Sequence, residues 1–186
     1  MKVACIQLSS TKNYNRNIND IIKYINLAIK NQSDLIITPE TSSIMTDNRS
    51  DLFKFSYEMK KDPLLKKLKI ISKSKKKWIL IGSLSIKVGK KLRNRSILLG
   101  PSGKIIKYYD KINMFDVRVS KKEKHNESKI FKAGNKLVSA KLPWGNLGFS
   151  ICYDLRFPEL YRNLSKRNIN FISVPSAFTK ITGKKH

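Results

Sequence analysis

The amino-acid sequence predicts an α/β fold in one domain of 186 residues, with parallel and antiparallel strands in the same sheet. Short apolar runs at residues 34–38 and 78–88 have the length and the flanking turn residues of buried strands. Between them, apolar residues recur at helical spacing, which is typical of helices that cover a sheet. Further along, turn sequences at 101–103 and 143–145 separate pairs of strand-like segments, as in antiparallel hairpins. A chain of this length is large enough to bury a core.

The first elements alternate between strand and helix. Residues 2–8 alternate well enough between apolar and polar side chains to predict a strand. Residues 34–38 form the next buried strand, which ends at Pro39. Between the two strands, residues 15–32 predict a helix, because their apolar residues share one face: Ile18, Ile21, Ile22, Ile25, Ala28 and Ile29.

Two helical pieces are predicted within residues 51–74, and the second begins at Pro63. Proline suits a first helical position, because its missing N–H would be unpaired there in any case. A strong strand follows at residues 78–88, with an interruption at Gly82. These elements complete a βαβα half of the domain.

Two antiparallel hairpins are predicted after this half. The first pairs residues 92–100 with residues 104–109, and the second pairs residues 136–142 with residues 146–151. Because antiparallel strands follow parallel ones, the sequence predicts a mixed sheet.

Two charged residues directly follow predicted strands. Glu40 stands just beyond the strand 34–38, and Lys111 lies at the start of a long loop, residues 110–126. The carboxyl ends of parallel strands face the site in α/β proteins, and loops of this length in a compact domain are often functional. The alternative for Glu40 is a solvated loop acid or a helix cap. The alternative for Lys111, which position alone favours, is one more exposed lysine in a lysine-rich chain.

Cys152 lies in a tight turn between the apolar run 148–151 and a predicted helix, residues 158–166. In α/β proteins such a turn presents nucleophiles close to free backbone N–H groups. The alternative is a small buried hydrophobe, which is the usual state of a free cysteine. A last strand at 170–174 and a loop at 177–186 complete the chain.

The formal net charge of +26 raises the possibility of an anionic partner such as nucleic acid. However, the basic residues are mostly lysines spread along the whole chain, and the densest run, residues 73–77, lies at a predicted helix end. Lysine, asparagine and isoleucine are overused together, as an AT-rich coding sequence would produce. We therefore expect nonspecific polyanion binding at low salt, and no specific nucleic-acid partner.

No apolar run approaches the ~18 residues of a membrane span, and the N-terminal segment has no signal-peptide pattern, so no membrane partner is expected. Cys5 and Cys152 both lie in apparent strands and do not suggest a disulfide framework. A reducing, cytoplasmic setting is expected.

Four blocks together indicate a family: LIITPE ending in Glu40, YYDKINMFDV around Lys111, NESKIFKAG with Glu127, and GFSICYDLRFPEL around Cys152. By their order and spacing, the whole chain resembles the nitrilase superfamily of carbon–nitrogen hydrolases. The blocks FDV, CYDLRFPEL and PSAFTKITGKKH resemble its nitrilase-like amidase branch, which includes the deaminated glutathione amidases and the ω-amidases. The resemblance implies a four-layer αββα sandwich.

The resemblance also implies the chemistry of a small-molecule amidase that needs no metal or organic cofactor. Cys152 would attack the carboxamide carbonyl as a thiolate, favoured by the Lys111 cation and a helix N-terminus. Glu40 would be the general base. Lys111 and the backbone N–H of Tyr153 would hold the oxyanion of the tetrahedral intermediate. Glu127 matches the second glutamate of the family, which orients Lys111 or assists proton transfer.

The substrate implied by the branch is a small ω-amide of a dicarboxylic or keto acid. Asp154 and Arg156, just past the nucleophile, are expected to line the pocket together with Ser176, Ala177 and Phe178. An arginine there would pair with a substrate carboxylate, bidentately if the geometry allows. The alternative is a structural pair between Arg156 and Asp154.

Members of this superfamily normally continue beyond the point where this chain ends. The resemblance therefore implies that the single domain 1–186 lacks a C-terminal part, with a helix, the closing strands of the second sheet and much of the dimer contact. A homo-oligomer is expected if the chain folds. The alternative function is a catalytically inactive nitrilase-like remnant that acts at most as a binding protein.

Overall fold

The computed structural model of the chain describes residues 1–119 and 124–184, without the side chains of residues 180 and 181. Within these residues, the first sheet contains five strands that lie side by side in chain order. Strands 1 to 3 are parallel and strands 3 to 5 antiparallel, which confirms the predicted mixed sheet. The strands are β1 (Val3–Cys5), β2 (Leu35–Ile37), β3 (Trp78–Val88), β4 (Lys91–Leu99) and β5 (Ile105–Asp110).

Helices cover one face of this sheet; the one that begins at Pro63 starts where the sequence predicts, and the first begins one residue before its predicted start. The side chains of Asn13 and Asp62 each accept a hydrogen bond from a backbone N–H of the first turn, and Pro63 occupies a first-turn position. Apolar residues of both helices pack against the sheet, including Ile21 and Leu68, which are fully buried. The helices before β3 are α1 (Tyr14–Lys30), α2 (Arg49–Lys54) and α3 (Pro63–Lys75).

The segment predicted as a loop, residues 110–126, contains a small hairpin, so this part of the prediction is wrong. β6 (Asp116–Arg118) pairs antiparallel with β7 (Lys124–Asn126), and Val117 lies opposite His125. Both strands consist mostly of polar residues, so no apolar pattern marks them in the sequence. Residues 120–123 of the predicted loop lie outside the described residues.

The second sheet packs against the other face of the first. In the described chain it contains β8 (Ser139–Leu142), β9 (Gly145–Phe149) and β10 (Phe171–Ser173), with β9 in the middle. β9 pairs antiparallel with β8 and parallel with β10. Helix α4 (Pro158–Ser165) lies beside this sheet, where the Tyr161 hydroxyl donates to Ser150 Oγ at 3.0 Å.

Helices and sheets therefore stack as an αββα sandwich, as the resemblance implies. The core between the sheets joins Leu35, Leu80 and Leu98 of the first to Leu147 and Phe149 of the second. The residues next to these leucines along each strand point to the helices instead. Because both faces are buried at the centre of the first sheet, β2 and β3 are largely continuous apolar runs rather than alternating ones.

Two predictions near the C-terminus need correction. Cys152 lies outside any strand, since β9 ends at Phe149 and Cys152 begins a short 3₁₀ helix, Cys152–Arg156. The predicted loop at 177–186 contains the single helical turn α5 (Lys180–Gly183), whose first turn is capped by Thr179. One turn is too short to show helical spacing. None of the described helices is long and apolar enough to cross a membrane.

Gly82 lets β3 pass close to the end of β2. A Cβ atom at this position would lie 1.8 Å from the Thr38 carbonyl oxygen and 2.5 Å from the Cβ atom of Pro175. The Gly82 N–H donates to Thr38 Oγ1 at 3.1 Å, and the register of β3 with β4 shifts at this point. Strand β3 continues through Gly82, so the predicted interruption is instead a point where the strand passes close to the Thr38 carbonyl group and the Pro175 side chain.

Replacing Gly82 with alanine is expected to lower the free energy of unfolding by about 3 kcal/mol or more, because the Thr38 carbonyl would have to move. Urea denaturation measures this loss. Gly89→Ala is the control: no atom lies within 4 Å of its added Cβ, but its φ is +62°. That change should cost about 1 kcal/mol from backbone strain alone. Equal losses for the two variants would contradict the steric argument.

Candidate active site

The four residues predicted for catalysis come from four separate parts of the fold. Glu40 follows β2, and Lys111 is the first residue after β5. Glu127 begins a short 3₁₀ turn directly after β7, and Cys152 begins the 3₁₀ helix after β9. Ion pairs, hydrogen bonds and electrostatic interactions link these four side chains to one another.

Lys111 is the centre of this cluster, and only 2% of it is exposed to solvent. Its Nζ lies 2.9 Å from Glu40 Oε1 and 2.9 Å from Glu127 Oε2. Burial by itself lowers the pKa of Lys111, but the negative charges of Glu40 and Glu127 raise it more, and the pKa lies above its ordinary value. Lys111 is therefore a fixed ammonium between two carboxylates, not the exposed lysine of the alternative interpretation.

Glu40 is buried, and each of its carboxylate oxygens accepts hydrogen bonds. Oε1 accepts from Lys111 and from Asn94 Nδ2, the latter at 2.8 Å. Oε2 accepts from the backbone N–H of Ala177 at 3.0 Å. The carboxylate is held from three sides, so the alternative of a solvated loop acid does not describe it.

Glu127 is held in a similar way. Its Oε2 accepts from the backbone N–H of Phe115 at 2.7 Å as well as from Lys111, and its Oε1 accepts from Asn94 Nδ2 at 3.0 Å. The next residue, Ser128, donates its N–H to Asp116 Oδ1 at 3.0 Å, which fastens the turn to the hairpin. The hairpin of β6 and β7, which the sequence did not predict, therefore helps to position Glu127, which the sequence did predict as a site residue.

Cys152 has a left-handed backbone conformation, with φ at +45°. Such a conformation is costly for a residue with a Cβ atom and is found most often at functional sites. The Cys152 N–H donates to the Pro175 carbonyl oxygen at 3.0 Å, and its Sγ lies 3.8 Å from the carbonyl oxygen of Ala177. These two contacts with the segment after β10 hold the turn in place.

The surroundings of the Cys152 side chain favour its thiol form over the thiolate. Burial raises its pKa to about 12, and the charge of Glu40 and a hydrogen bond to it act in the same direction. Lys111 lowers the pKa, but not enough to compensate. At neutral pH the group is therefore a protonated thiol.

The residues predicted to bind the substrate or the oxyanion differ from one another in their exposure to solvent and in their contacts. Tyr153 is half-buried, and its ring packs edge-on against Phe115 at a centroid distance of 5.0 Å. Ala177 reaches the cluster through its backbone, whereas the Ser176 hydroxyl donates to the Val174 carbonyl oxygen at 3.0 Å. The side chains exposed to solvent are those of Arg156 and Phe178.

Asp154 does not line a pocket, contrary to the prediction. It is completely buried, and Oδ2 accepts from the Tyr109 hydroxyl at 2.8 Å and from the Ile151 N–H at 2.9 Å. Oδ1 accepts from the backbone N–H and from the side-chain amide of Asn113, both at 2.9 Å. Asp154 thus ties the turn that carries Cys152 to the segment just after Lys111, and its position in the sequence two residues after Cys152 could not reveal this.

Replacing Asp154 with asparagine is expected to lower the free energy of unfolding by about 2–4 kcal/mol, because at least one buried N–H loses its acceptor. The change also loosens the turn of Cys152, so turnover should fall with stability. Urea denaturation and a rate assay on the same samples measure both. Tyr109→Phe is the control, since it removes one donor and leaves the carboxylate; a loss as large as that of Asp154→Asn would contradict this account.

Sequence reasoning missed Asn94, although a signal for it exists. Asn94 lies in β4 between two arginines and resembles a solvated position. Its neighbours at spacing two, Leu92 and Ser96, are fully buried, so Asn94 lies on a buried face. A polar side chain on such a face needs a partner, and here its partners are the two carboxylates.

No group of three or more His, Cys, Asp and Glu side chains suited to a metal ion occurs in the part of the chain that the structure describes. Both cysteines are free thiols.

Comparisons with known proteins identify the family of the chain. The carbon–nitrogen hydrolase family model matches residues 2–186. The chain is 34% identical over 191 residues to a deaminated glutathione amidase of Dictyostelium discoideum, covering 97% of this chain and 65% of that protein. It is 34% identical over 192 residues to a deaminated glutathione amidase of Yersinia enterocolitica, covering 99% and 65%.

The fold is similar to the crystal structure of the C. elegans NitFhit protein, with a TM-score of 0.89 and 28% identity. That likeness covers 99% of this chain and 45% of the other. The chain spans about 65% of the length of the two amidases above. Since the family model matches nearly every residue, the chain belongs to the carbon–nitrogen hydrolase family, within the nitrilase superfamily.

Proposed function

We propose that this protein hydrolyses the carboxamide of a small ω-amide and releases ammonia through a thioester on Cys152. One observation carries the proposal: a buried ammonium, Lys111, is held between two carboxylates, and Cys152 interacts electrostatically with both Lys111 and Glu40. A thiol, a base and a fixed cation at one point are the parts that acyl transfer requires.

In the first half of the reaction, Glu40 takes the thiol proton as Cys152 Sγ attacks the carbonyl carbon. Because the pKa of the thiol is about 12, proton removal accompanies attack rather than preceding it. Lys111 and the N–H of Tyr153 stabilise the oxyanion. The C–N bond then breaks, and Glu40 returns the proton to the departing ammonia. Glu127 keeps Lys111 in place throughout.

In the second half, water attacks the thioester. Glu40, again a carboxylate, takes a proton from that water, and the C–S bond breaks to release the carboxylic acid. The proton returns to the sulfur, which restores the resting thiol. Both halves use one base and one oxyanion site, so the residues already described suffice for the cycle.

The substrate class is proposed from the relatives and from Arg156. The Dictyostelium and Yersinia relatives carry the name deaminated glutathione amidase. Arg156 lies at the end of the 3₁₀ helix that Cys152 begins, and it is exposed. We propose that it pairs with the distant carboxylate of the ω-amide.

Ammonia release by the purified chain tests the proposal. The panel contains deaminated glutathione, monoamides of shorter dicarboxylic acids, and simple primary amides without a carboxylate, with Cys152→Ala as the blank. Release that depends on Cys152 supports an amidase, and preference for the carboxylate-bearing amides supports the substrate class. No release from a soluble, cooperatively folded chain would contradict the proposal and favour a binding protein with this fold.

A further inference from the structure

Asn94 contacts every charged member of the cluster around Lys111. Its Nδ2 donates to Glu40 Oε1 at 2.8 Å and to Glu127 Oε1 at 3.0 Å. Its backbone carbonyl oxygen accepts from the Lys111 N–H at 2.9 Å. Only 2% of Asn94 is exposed. One residue of β4 therefore fixes both carboxylates through its side chain and the lysine through its main chain.

The orientation of the Asn94 amide is determined by these carboxylates. Asn94 Oδ1 is buried and has no hydrogen-bond partner among the described residues. Rotating the amide by half a turn would place this oxygen against Glu40 and Glu127, where two negative charges repel it. The side chain thus leaves its own acceptor unpaired in order to direct both donors at the carboxylates, a cost that a merely space-filling residue would not need.

The two carboxylates also need more than Lys111. Glu40 and the half-buried Glu127 carry like charges at one site, and like charges repel each other. Hydrogen bonds from a neutral donor to both carboxylates hold them in place against this repulsion. Asn94 supplies one such bond to each carboxylate from a single nitrogen, and it therefore sets the distance between them.

We infer that Asn94 is a positioning residue, which holds Glu40 and Glu127 against Lys111 in the geometry that turnover requires. The inference rests on the proposed function of the cluster. Asn94 is not expected to touch the substrate, so its loss should act on the chemical step rather than on binding.

The test uses Asn94→Leu, which keeps the side-chain volume and removes both donors, in a Cys5→Ala background where Cys152 is the remaining thiol. We expect kcat for the best amide of the panel to fall about ten- to hundredfold, the effect of losing hydrogen bonds to charged groups. KM should change by less than about threefold, because Asn94 makes no contact with the substrate and its loss leaves substrate binding intact. The rate at which iodoacetamide alkylates Cys152 should fall in parallel with kcat, since Glu40 removes the thiol proton in both reactions.

Two further variants separate positioning from packing. Ser96→Ala removes a buried hydrogen bond of the same strand, from Ser96 Oγ to the Ile81 carbonyl oxygen, and should leave kcat and alkylation unchanged. Asn94→Asp has the same size but no donor when ionised, and it should lose at least as much kcat as Asn94→Leu. If Asn94→Leu does not fold, Asn94→Thr, which keeps one donor, takes its place and should lose about tenfold.

Any folded Asn94 variant with kcat and alkylation within about twofold of the parent would overturn the inference. A rise in KM without a change in kcat would overturn it as well. If the parent alkylates at Cys152 but releases no ammonia, the proposed function fails on its own. The alkylation rates of the Asn94 variants then still decide whether this residue positions the cluster.

Discussion

Replacing Cys152 with alanine is expected to abolish ammonia release, with a fall of about 10⁴-fold or more in kcat. Alanine offers no nucleophile, and neither Glu40 nor Lys111 can form the acyl intermediate in its place. The fold should persist, because the contact of residue 152 with the Pro175 carbonyl oxygen comes from the backbone. Its φ of +45° strains alanine no more than cysteine. Rate assays and urea denaturation of the same preparation measure both properties.

Two controls sharpen this result. Cys5→Ala removes the exposed thiol of β1 and should leave the rate unchanged. Cys152→Ser keeps nearly the same shape and replaces the thiol by a much less acidic hydroxyl, so it should also be inactive. Ammonia release by Cys152→Ala within about tenfold of the parent rate would rule out a thioester on Cys152. A large loss of stability in that variant would show that the turn depends on the sulfur.

Replacing Lys111 with methionine is expected to reduce kcat by several orders of magnitude, because the oxyanion loses its cation and the two carboxylates lose their common partner. The change also leaves buried negative charge uncompensated, which typically costs about 3–5 kcal/mol of stability. Methionine keeps much of the buried stem of the lysine, so packing changes little.

Lys107→Met is the matched control, since Lys107 is an exposed lysine of the same strand, β5. It should alter neither the rate nor the free energy of unfolding beyond about 0.5 kcal/mol. Equal stability of the Lys111→Met and Lys107→Met variants at neutral pH would contradict the buried ion pairs. Turnover by Lys111→Met at the parent rate would contradict the role of the cation.

The fold was predictable where the local chemistry is strong. β3 has the predicted bounds, Trp78–Val88, because a long apolar run between turn residues has one plausible structure. Helices that begin at Pro63 and Pro158 were also predicted, because proline restricts where a helix starts. The hairpin of β6 and β7 was not, because it depends on pairing between segments rather than on a pattern within either.

The candidate site was predictable as a set of residues but not as an arrangement. Glu40 and Lys111 are separated by 71 positions, a distance at which periodicity says nothing about contact. Their association came from the likeness of four sequence blocks to a known superfamily. Asp154 was assigned to the pocket because it adjoins the nucleophile, yet the 3₁₀ turn directs it inward. The thiolate was expected from the nearby lysine, but burial and Glu40 outweigh that cation.

The resting thiol of Cys152 has a consequence for oxidation. Peroxides and related oxidants react with thiolates, and a half-buried group whose pKa is about 12 offers almost none at physiological pH. Cys5 is exposed and would meet such oxidants first. Under the proposed mechanism, Cys152 becomes reactive when an electrophile sits beside Glu40 and accepts the sulfur as the proton leaves. The burial of Cys152, which makes its reaction depend on Glu40, would then also protect the thiol against oxidation.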